Sequence, residues 1–263
     1  MLKKLLKYDL KNVFKVLVVF YALSLFFALL TRIFLSVDNS FVINIIGKVC
    51  SGTTIAMIFN ILINNLMRLW VRFKQNFYGD ESYLTHTLPV SKKNLYISKI
   101  LASVISLFIS FIVICATLFI AYYSKENINT VKNLLLPLAS IYESTVIKLI
   151  IAFILVFFLE IMNMLESGYA GLVLGHKKNT NKIAYSIFFG FGVYILTQIF
   201  TILLVFIAAL FNKDLMNLFY TVEILNVDVI KYCIYLAIII YSLNIAILYI
   251  INLKLFSKGV NVD

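Results

Sequence analysis

A carboxylate inside a long apolar run is the strongest candidate in this sequence for a residue with a chemical role. Glu160 lies in the stretch from Leu149 to Gly175, where the other charged residue is Glu166. An ionisable side chain at membrane depth is costly, and it therefore indicates a functional site by default. Glu160 is a candidate to line a substrate path, to carry a proton, or to form a structural hydrogen bond with Gln198 or an asparagine. Glu166 lies nearer the end of the run, where we expect a loop lysine to pair with it.

Other polar and small residues in the apolar runs suit helix packing. Asn60 and Asn64 are four residues apart and so share one face of a helix. They are candidates to line a path or to hold helices together. Gly168, Gly171 and Gly175 include a GxxxG pair at the last two positions, which lets two helix backbones approach closely. These glycines predict a packing surface, including at a seam between subunits.

No set of residues predicts catalysis or metal binding. His86 and His176 are the two histidines, and neither lies in an HExxH string. Cys50, Cys115 and Cys233 are widely spaced and form no CxxC pair or disulfide framework. No GxxxxGK[ST] string occurs, so the chain is not predicted to bind ATP through a phosphate-binding loop.

Composition excludes a water-soluble globule. The chain has 263 residues, of which 62% are hydrophobic and 13% charged, whereas a soluble domain carries about 25% charged residues. The net charge is +11, and a basic protein can bind nucleic acid. Here the basic residues fall between the apolar runs, which is typical of membrane topology rather than of a nucleic-acid surface.

Six apolar runs predict an all-α membrane protein with a single transmembrane domain over residues 1–263. Each run is continuous rather than alternating, which favours helices over a membrane barrel. The predicted spans cover residues 16–35, 45–67, 98–123, 147–175, 183–211 and 230–254.

Charge distribution predicts the orientation of these spans. Most of the 23 Lys and Arg residues lie in the N-terminal segment, the connection at 68–97, the connection near 177–182 and the tail. By the positive-inside rule, both termini are expected in the cytoplasm. The external connections at 124–148 and 212–231 are modest, and we expect no folded external domain.

The first 15 residues predict an amphipathic helix that lies in the membrane interface. One face carries Leu2, Leu5, Leu6, Leu10 and Val13, and lysines group on the other. The lysines would meet anionic headgroups of the lipid bilayer. The alternative is that this segment simply extends the first span.

The connection at 68–97 is longer than a turn needs and predicts a short helix. Gly79 permits a turn, and Asp80 or Glu81 suits the start of a helix, where a carboxylate favours the positive end of the dipole. Pro89 ends the helix, because its ring disfavours helical backbone at the preceding residue. An apolar stripe then consists of Tyr83, Leu84 and Leu88.

Ser91 is predicted to cap the third span. Val90 and Leu95 stand at the two positions of a hydrophobic staple around it. The result is a short, half-apolar helix held at both ends. Such an element needs a partner for its apolar side.

The string from Tyr78 to Ser91, YGDESYLTHTLPVS, is followed by a basic pair and a new apolar run. It resembles the cytoplasmic loop of ABC exporter permease subunits, six-span proteins that work with a separate ATP-binding subunit. The GDExYLxxTLPVS string is the specific part of this resemblance. The N-terminal segment, the six runs and the length extend it over essentially the whole chain.

The resemblance implies that this loop contains the coupling helix that docks on the ATPase. The residues expected to make this contact are Tyr78, Gly79, Asp80, Glu81, Tyr83, Leu84, Leu88, Pro89 and Val90. It also implies two copies of an ATP-binding subunit, which would hold ATP and Mg, and a second permease copy or a related permease. No cofactor is then expected in this chain, and its location is the bacterial inner membrane.

The expected substrate is amphiphilic, such as an antimicrobial peptide, a lipid-like compound or a drug, because the bundle is apolar and no large external domain is predicted. The main alternative is a non-transporting membrane anchor or sensor that recruits a cytosolic ATPase through the same loop. An ion-driven transporter is less favoured, since paired broken helices are not evident.

Overall fold

The computed structural model describes residues 2–37, 41–141, 145–212, 215–216 and 227–258. Within these ranges the regular secondary structure is helical and contains no strand. The chain divides into two compact units, Met1–Ile128 and Asn129–Asp263. The predicted external connection at 212–231 lies largely outside the described residues.

The helices of the described chain are α1 (Leu2–Leu35), α2 (Phe41–Phe77), α3 (Ser82–Thr87), α4 (Lys92–Tyr122), α5 (Lys125–Ile141), α6 (Val146–Gly175), α7 (Lys182–Phe211) and α8 (Val227–Ser257). Six of them are long and apolar enough to cross a membrane, namely α1, α2, α4, α6, α7 and the part of α8 from Tyr232 to Ser257. This agrees with the six predicted spans and indicates a multi-pass membrane protein.

A separate N-terminal interfacial helix is not confirmed. Helix α1 runs without interruption from Leu2 to Leu35, so the amphipathic segment continues directly into the first apolar run. Val13, Leu17 and Tyr21 are buried on one face across the predicted boundary near residue 15. This continuous buried face explains why the helix has no break there.

Helix α2 extends beyond the predicted second span. The second span was expected to end at residue 67, but α2 continues to Phe77. Leu69, Phe73 and Phe77 recur every four residues and are buried, so the apolar face of the helix persists through its charged end. The connection between α2 and α4 is correspondingly shorter than the predicted range of 68–97.

The predicted connection at 124–148 contains a helix that sequence reasoning missed. Helix α5 covers Lys125–Ile141 and includes Pro137. In the second unit, Leu135 and Leu138 pack against the buried side chains of Leu149 and Ile234. Helix α5 thus packs through apolar side chains of its second half.

In the first unit, α1 packs against α2 and α4, and α2 also packs against α4 and α3. Small hydroxyl and amide side chains join these helices in pairs. The Tyr21 hydroxyl lies 2.7 Å from Ser110 Oγ, and Thr31 Oγ1 lies 2.9 Å from Thr54 Oγ1. Such hydrogen bonds help apolar helices to associate in a bilayer, because the hydrophobic effect does not drive helices together when lipid surrounds them.

In the second unit, α6 packs against α7 and α8, and α7 also contacts α8. The backbones of α6 and α7 come close at the glycines of α6. A Cβ atom on Gly171 would lie 2.4 Å from the backbone N and Cα of Gly190, and one on Gly175 would lie 2.4 Å from the Ser186 N. Only glycine fits this approach. The structure thus places the GxxxG pair at a helix contact within the chain, while a role at a subunit seam stays a prediction.

Candidate functional site

The short helix α3 presents apolar side chains to the exterior of the molecule. Tyr83 is 66% exposed, Leu84 is 74% exposed and Leu88 is 43% exposed. The helix ends at Thr87, and Leu88 has extended backbone angles (φ −64°, ψ 138°) immediately before Pro89, as expected for a residue that precedes proline. Asp80 and Pro89 are also exposed, and Val90 is half-buried.

Tyr78 does not belong to this exposed surface. Its side chain is 2% exposed, and its ring lies 6.5 Å from that of Phe73. The Phe73 ring also meets Phe77 at 4.8 Å and Tyr96 at 6.1 Å, both edge-on. Burial raises the pKa of the Tyr78 phenol above its ordinary value. The Tyr78 side chain thus anchors the loop in the aromatic core, and its expected contact with a partner stays a prediction.

The turn at Gly79 brings α3 back toward the end of α2. A Cβ atom at Gly79 would lie 3.2 Å from the Gln75 Cα, so the turn leaves little room for a side chain. On the other side of α3, His86 Nε2 lies 3.3 Å from the Phe77 carbonyl oxygen. The His86 contact holds α3 near the end of α2.

Glu81 stands at the first position before α3, as predicted, but its carboxylate does not cap the helix. It turns back to α2 and accepts two hydrogen bonds from Arg72 Nη1, at 2.8 and 2.7 Å, and one from Asn76 Nδ2. The acid that sequence reasoning assigned to the helix dipole therefore ties the start of α3 to the end of α2.

This tie is part of a larger cluster, which we call the ion network. Its members are Asp9 on α1, Arg72 and Asn76 on α2, Glu81 before α3, and Lys99 on α4. The Lys99 ammonium donates to Asp9 and to the Asn76 side-chain oxygen. Arg72 Nε lies 3.6 Å from Asp9 Oδ1. The network thus connects every helix of the first unit from α1 to α4.

The charges of the ion network balance. Asp9 and Glu81 supply two negative charges, while Arg72 and Lys99 supply two positive charges. Asp9 is 4% exposed and Lys99 is 7% exposed, and Ser98 donates a further hydrogen bond of 2.8 Å to Asp9. Buried charges are tolerated when they are paired and hydrogen-bonded in this way. Lys99 also lies 5.6 Å from the centre of the Phe77 ring, a favourable cation–π distance.

Sequence reasoning missed Asp9, although the sequence carries a signal for it. Asp9 is the one acid among the first 15 residues. It also falls on the face that carries Leu2, Leu5 and Val13 rather than on the lysine face. A carboxylate on the apolar face of an amphipathic helix indicates a buried partner.

A second polar cluster surrounds Glu160 in the other unit. Glu160 lies in the middle of the 30-residue helix α6. Its Oε1 atom accepts hydrogen bonds from the Tyr194 hydroxyl at 2.7 Å and from Gln198 Nε2 at 3.0 Å. Tyr241 on α8 interacts electrostatically with the same carboxylate. The structure therefore brings the predicted residues Glu160 and Gln198 together and adds two tyrosines that sequence reasoning did not select.

The predicted asparagines of α2 bond to their own helix. Asn60 Nδ2 donates to the Ala56 carbonyl and Asn64 Nδ2 to the Asn60 carbonyl. The neighbouring Asn65 is fully buried and donates to Ser110 Oγ on α4 at 2.8 Å. Within this part of α2, Asn65 rather than the predicted pair bonds to α4.

Glu166 is buried and contacts α8. The Asn252 side chain donates to its Oε2 atom at 2.7 Å and to its backbone carbonyl at 3.0 Å. The expected lysine partner of Glu166 stays a prediction. Among the described residues, no group of three or more His, Cys, Asp or Glu side chains is arranged to hold a metal ion.

No family model matches the chain, and neither the curated proteins nor the solved structures contain a significant match to it.

Proposed function

We propose that this chain is the membrane-spanning subunit of an ATP-driven ABC exporter, and that a separate partner chain hydrolyses the ATP. The observation that carries the proposal is the exposed apolar surface of α3, made by Tyr83, Leu84 and Leu88, on a helix that the ion network ties to α1, α2 and α4. Adjacent exposed apolar side chains outside the apolar runs favour a protein partner. The resemblance of residues 78–91 to the permease loop favours an ATP-binding subunit.

The ion network suits a helix that transmits force. A loop fixed only at its two ends would bend when a partner pulls on it. Here Glu81 is bonded to Arg72 and Asn76 at the start of α3, and His86 contacts the Phe77 carbonyl near its end. Motion of the partner would therefore pass to α2, and through Lys99 and Asp9 to α4 and α1.

The proposed mechanism follows from this connection. ATP closes two partner subunits on each other, and α3 moves with the subunit that holds it. The bundle tilts so that a cavity opens outward, and it resets after hydrolysis. A second permease copy or a related permease completes the path. Both termini and α3 face the cytoplasm in the bacterial inner membrane, and the substrate is an amphiphile such as an antimicrobial peptide, a lipid-like compound or a drug.

The second candidate function is a non-transporting anchor or sensor that recruits a cytosolic ATPase. It uses the same α3 surface, so partner binding alone does not separate the two functions. Transport assays of the wild type and of the Asp80→Asn, Glu81→Gln double variant separate them. The double variant removes an exposed charge and weakens the bonds of Glu81 to Arg72 and Asn76. For an exporter, ATP hydrolysis should continue while transport of a labelled amphiphile into inverted vesicles falls. An anchor would show no ATP-dependent uptake even in the wild type.

Purification in mild detergent tests partner binding. The full chain with an affinity tag should retain a nucleotide hydrolase, detected by mass spectrometry and by ATPase activity. The Tyr83→Ser and Leu84→Ser double variant should lose it while the chain stays folded, because both side chains are exposed. Tyr8→Ser is the matched control, since Tyr8 is 67% exposed on α1. Recovery of the same hydrolase with the double variant would refute the assigned surface.

A further inference from the structure

Glu160 differs from the acids of the ion network in its surroundings. Asp9 and Glu81 are each paired with a base. Over the part of the chain that the structure describes, Glu160 receives hydrogen bonds from the neutral groups of Tyr194 and Gln198, and no Lys or Arg lies within ion-pair distance of it. The Glu160 carboxyl group is therefore held by neutral donors rather than by a base.

One oxygen of the Glu160 carboxyl group is buried without a hydrogen-bond donor among the described residues. The Tyr194 and Gln198 donors both point at Oε1. The Oε2 atom is buried, and it accepts no hydrogen bond from the described residues. A buried acceptor without a donor costs about 1–3 kcal/mol. A ligand that brings a donor to Oε2 would recover this free energy.

Two aromatic rings accompany the carboxylate. Tyr194 lies on α7 and Tyr241 on α8, so the carboxylate on α6 stands where three helices of one unit meet. Aromatic rings near an anionic group favour an organic cation over an inorganic one, because the face of a ring attracts positive charge. Glu160 lies at the midpoint of a 30-residue apolar helix. A charged head group of an amphiphile is costly at that depth unless an opposite charge neutralises it.

We propose that Glu160, Tyr194, Gln198 and Tyr241 form a recognition site for the protonated amine of an amphiphilic substrate. The ammonium donates to Oε2 of Glu160 and neutralises its charge, while the alkyl part stays against the apolar surface of the helices. A quaternary ammonium group, which has no N–H, binds less tightly because it leaves Oε2 without a donor. The inference rests on the proposed exporter function for its substrate class, but the site belongs to this chain alone.

Binding of radiolabelled dodecylamine to the purified chain in phosphatidylcholine nanodiscs tests the site without any partner subunit. The wild type should bind dodecylamine most tightly and dodecyltrimethylammonium less tightly. It should bind dodecanol, which has no charge, the least tightly of the three. Glu160→Gln should weaken dodecylamine binding at least about tenfold, and Glu160→Asp, which keeps the charge, should recover part of the loss. Met164→Leu, one turn along α6, is the matched control and should bind as the wild type does.

A second measurement uses the wild-type chain, so it does not depend on the folding of a variant. A hydrophobic carbodiimide labels carboxyl groups in apolar surroundings, and mass spectrometry reports the labelled fraction of Glu160. Dodecylamine should slow this labelling and dodecanol should not. Equal protection by both compounds, or equal dodecylamine affinity of Glu160→Gln and the wild type, would overturn the inference.

The outcomes also separate the site from the exporter assignment. Amine binding that depends on Glu160, with no nucleotide hydrolase ever recovered, would keep the site and refute the exporter. ATP-dependent transport that is unchanged in Glu160→Gln would keep the exporter and refute the site.

Discussion

Replacement of Lys99 by Met is the perturbation that most directly tests the ion network. The side chains of Lys99 and Asp9 are 9% and 5% exposed, so they form a buried ion pair. Removal of one partner of a buried pair typically costs about 3–5 kcal/mol, because it leaves the other charge uncompensated. Arg72 does not replace Lys99, since its nearest atom is 3.6 Å from Asp9 and its stronger contact is with Glu81. We therefore expect Lys99→Met to lower the free energy of unfolding by about 3–5 kcal/mol.

The double variant Lys99→Met with Asp9→Asn distinguishes lost charge balance from lost packing. It removes both charges and leaves the Arg72–Glu81 pair in place, so the network stays neutral. It still lacks the donor to Asn76, which is worth about 1 kcal/mol. We expect the double variant to lie within about 1–2 kcal/mol of the wild type, because neutral replacement of a buried ion pair is often tolerated.

Unfolding in mixed micelles with increasing SDS measures these free energies. Trp70 is the single tryptophan and lies on α2, two residues before Arg72, so its fluorescence reports on the first unit. Lys93→Met serves as the control on an exposed residue of α4 and should change the free energy of unfolding by less than about 0.5 kcal/mol. A double variant as unstable as Lys99→Met, or a Lys99→Met variant within 1 kcal/mol of the wild type, would refute the role assigned to the pair.

Two further predictions concern helix packing. Gly171→Ala should destabilise the chain by about 1–3 kcal/mol, because its Cβ would lie 2.4 Å from the backbone of Gly190. Gly192→Ala should not destabilise it, since nothing lies within 4 Å of a Cβ there; thermal unfolding in detergent compares the two. Asn65→Ala should lower the free energy of unfolding by about 1–3 kcal/mol, because it removes the hydrogen bonds to α4. Asn60→Ala should change the free energy of unfolding by less than about 0.5 kcal/mol. The SDS titration measures both, and equal losses of stability in the two variants would contradict the prediction.

Features set by local chemistry could be predicted from the sequence. The six apolar runs appear as long helices because length and hydropathy alone decide them. Ser91 caps α4 as expected and accepts a hydrogen bond from the Asn94 N–H at 3.3 Å. The end of α3 before Pro89 follows from the restricted backbone of a residue before proline.

Features set by distant pairing could not be predicted in this way. Asp9 meets Lys99 across 90 positions of sequence, and nothing in the neighbourhood of either residue specifies the other. The choice of Asn65 over Asn60 depends on which face of α2 meets α4, a property of tertiary packing. The packing of α5 against Ile234 likewise joins residues that lie far apart in the sequence.

The same division applies to the candidate sites. Glu160 and Gln198 could be selected because polar residues in apolar runs are rare and costly. Tyr194 and Tyr241 could not be separated from the other tyrosines, since the 16 tyrosines of the chain include many in or beside apolar runs. Only the packing of α6, α7 and α8 shows which two meet the carboxylate.

The most direct test of the central claim is a photocrosslinker placed at Leu84 in the full chain, in membranes of the cells that produce it. Leu84 is the most exposed of the apolar residues of α3, at 74%. We predict a covalent adduct with an ATP-binding protein, identified by mass spectrometry, and no such adduct from the same crosslinker at Tyr8. Adducts at Leu84 with lipid alone, or with a protein that binds no nucleotide, would contradict the account.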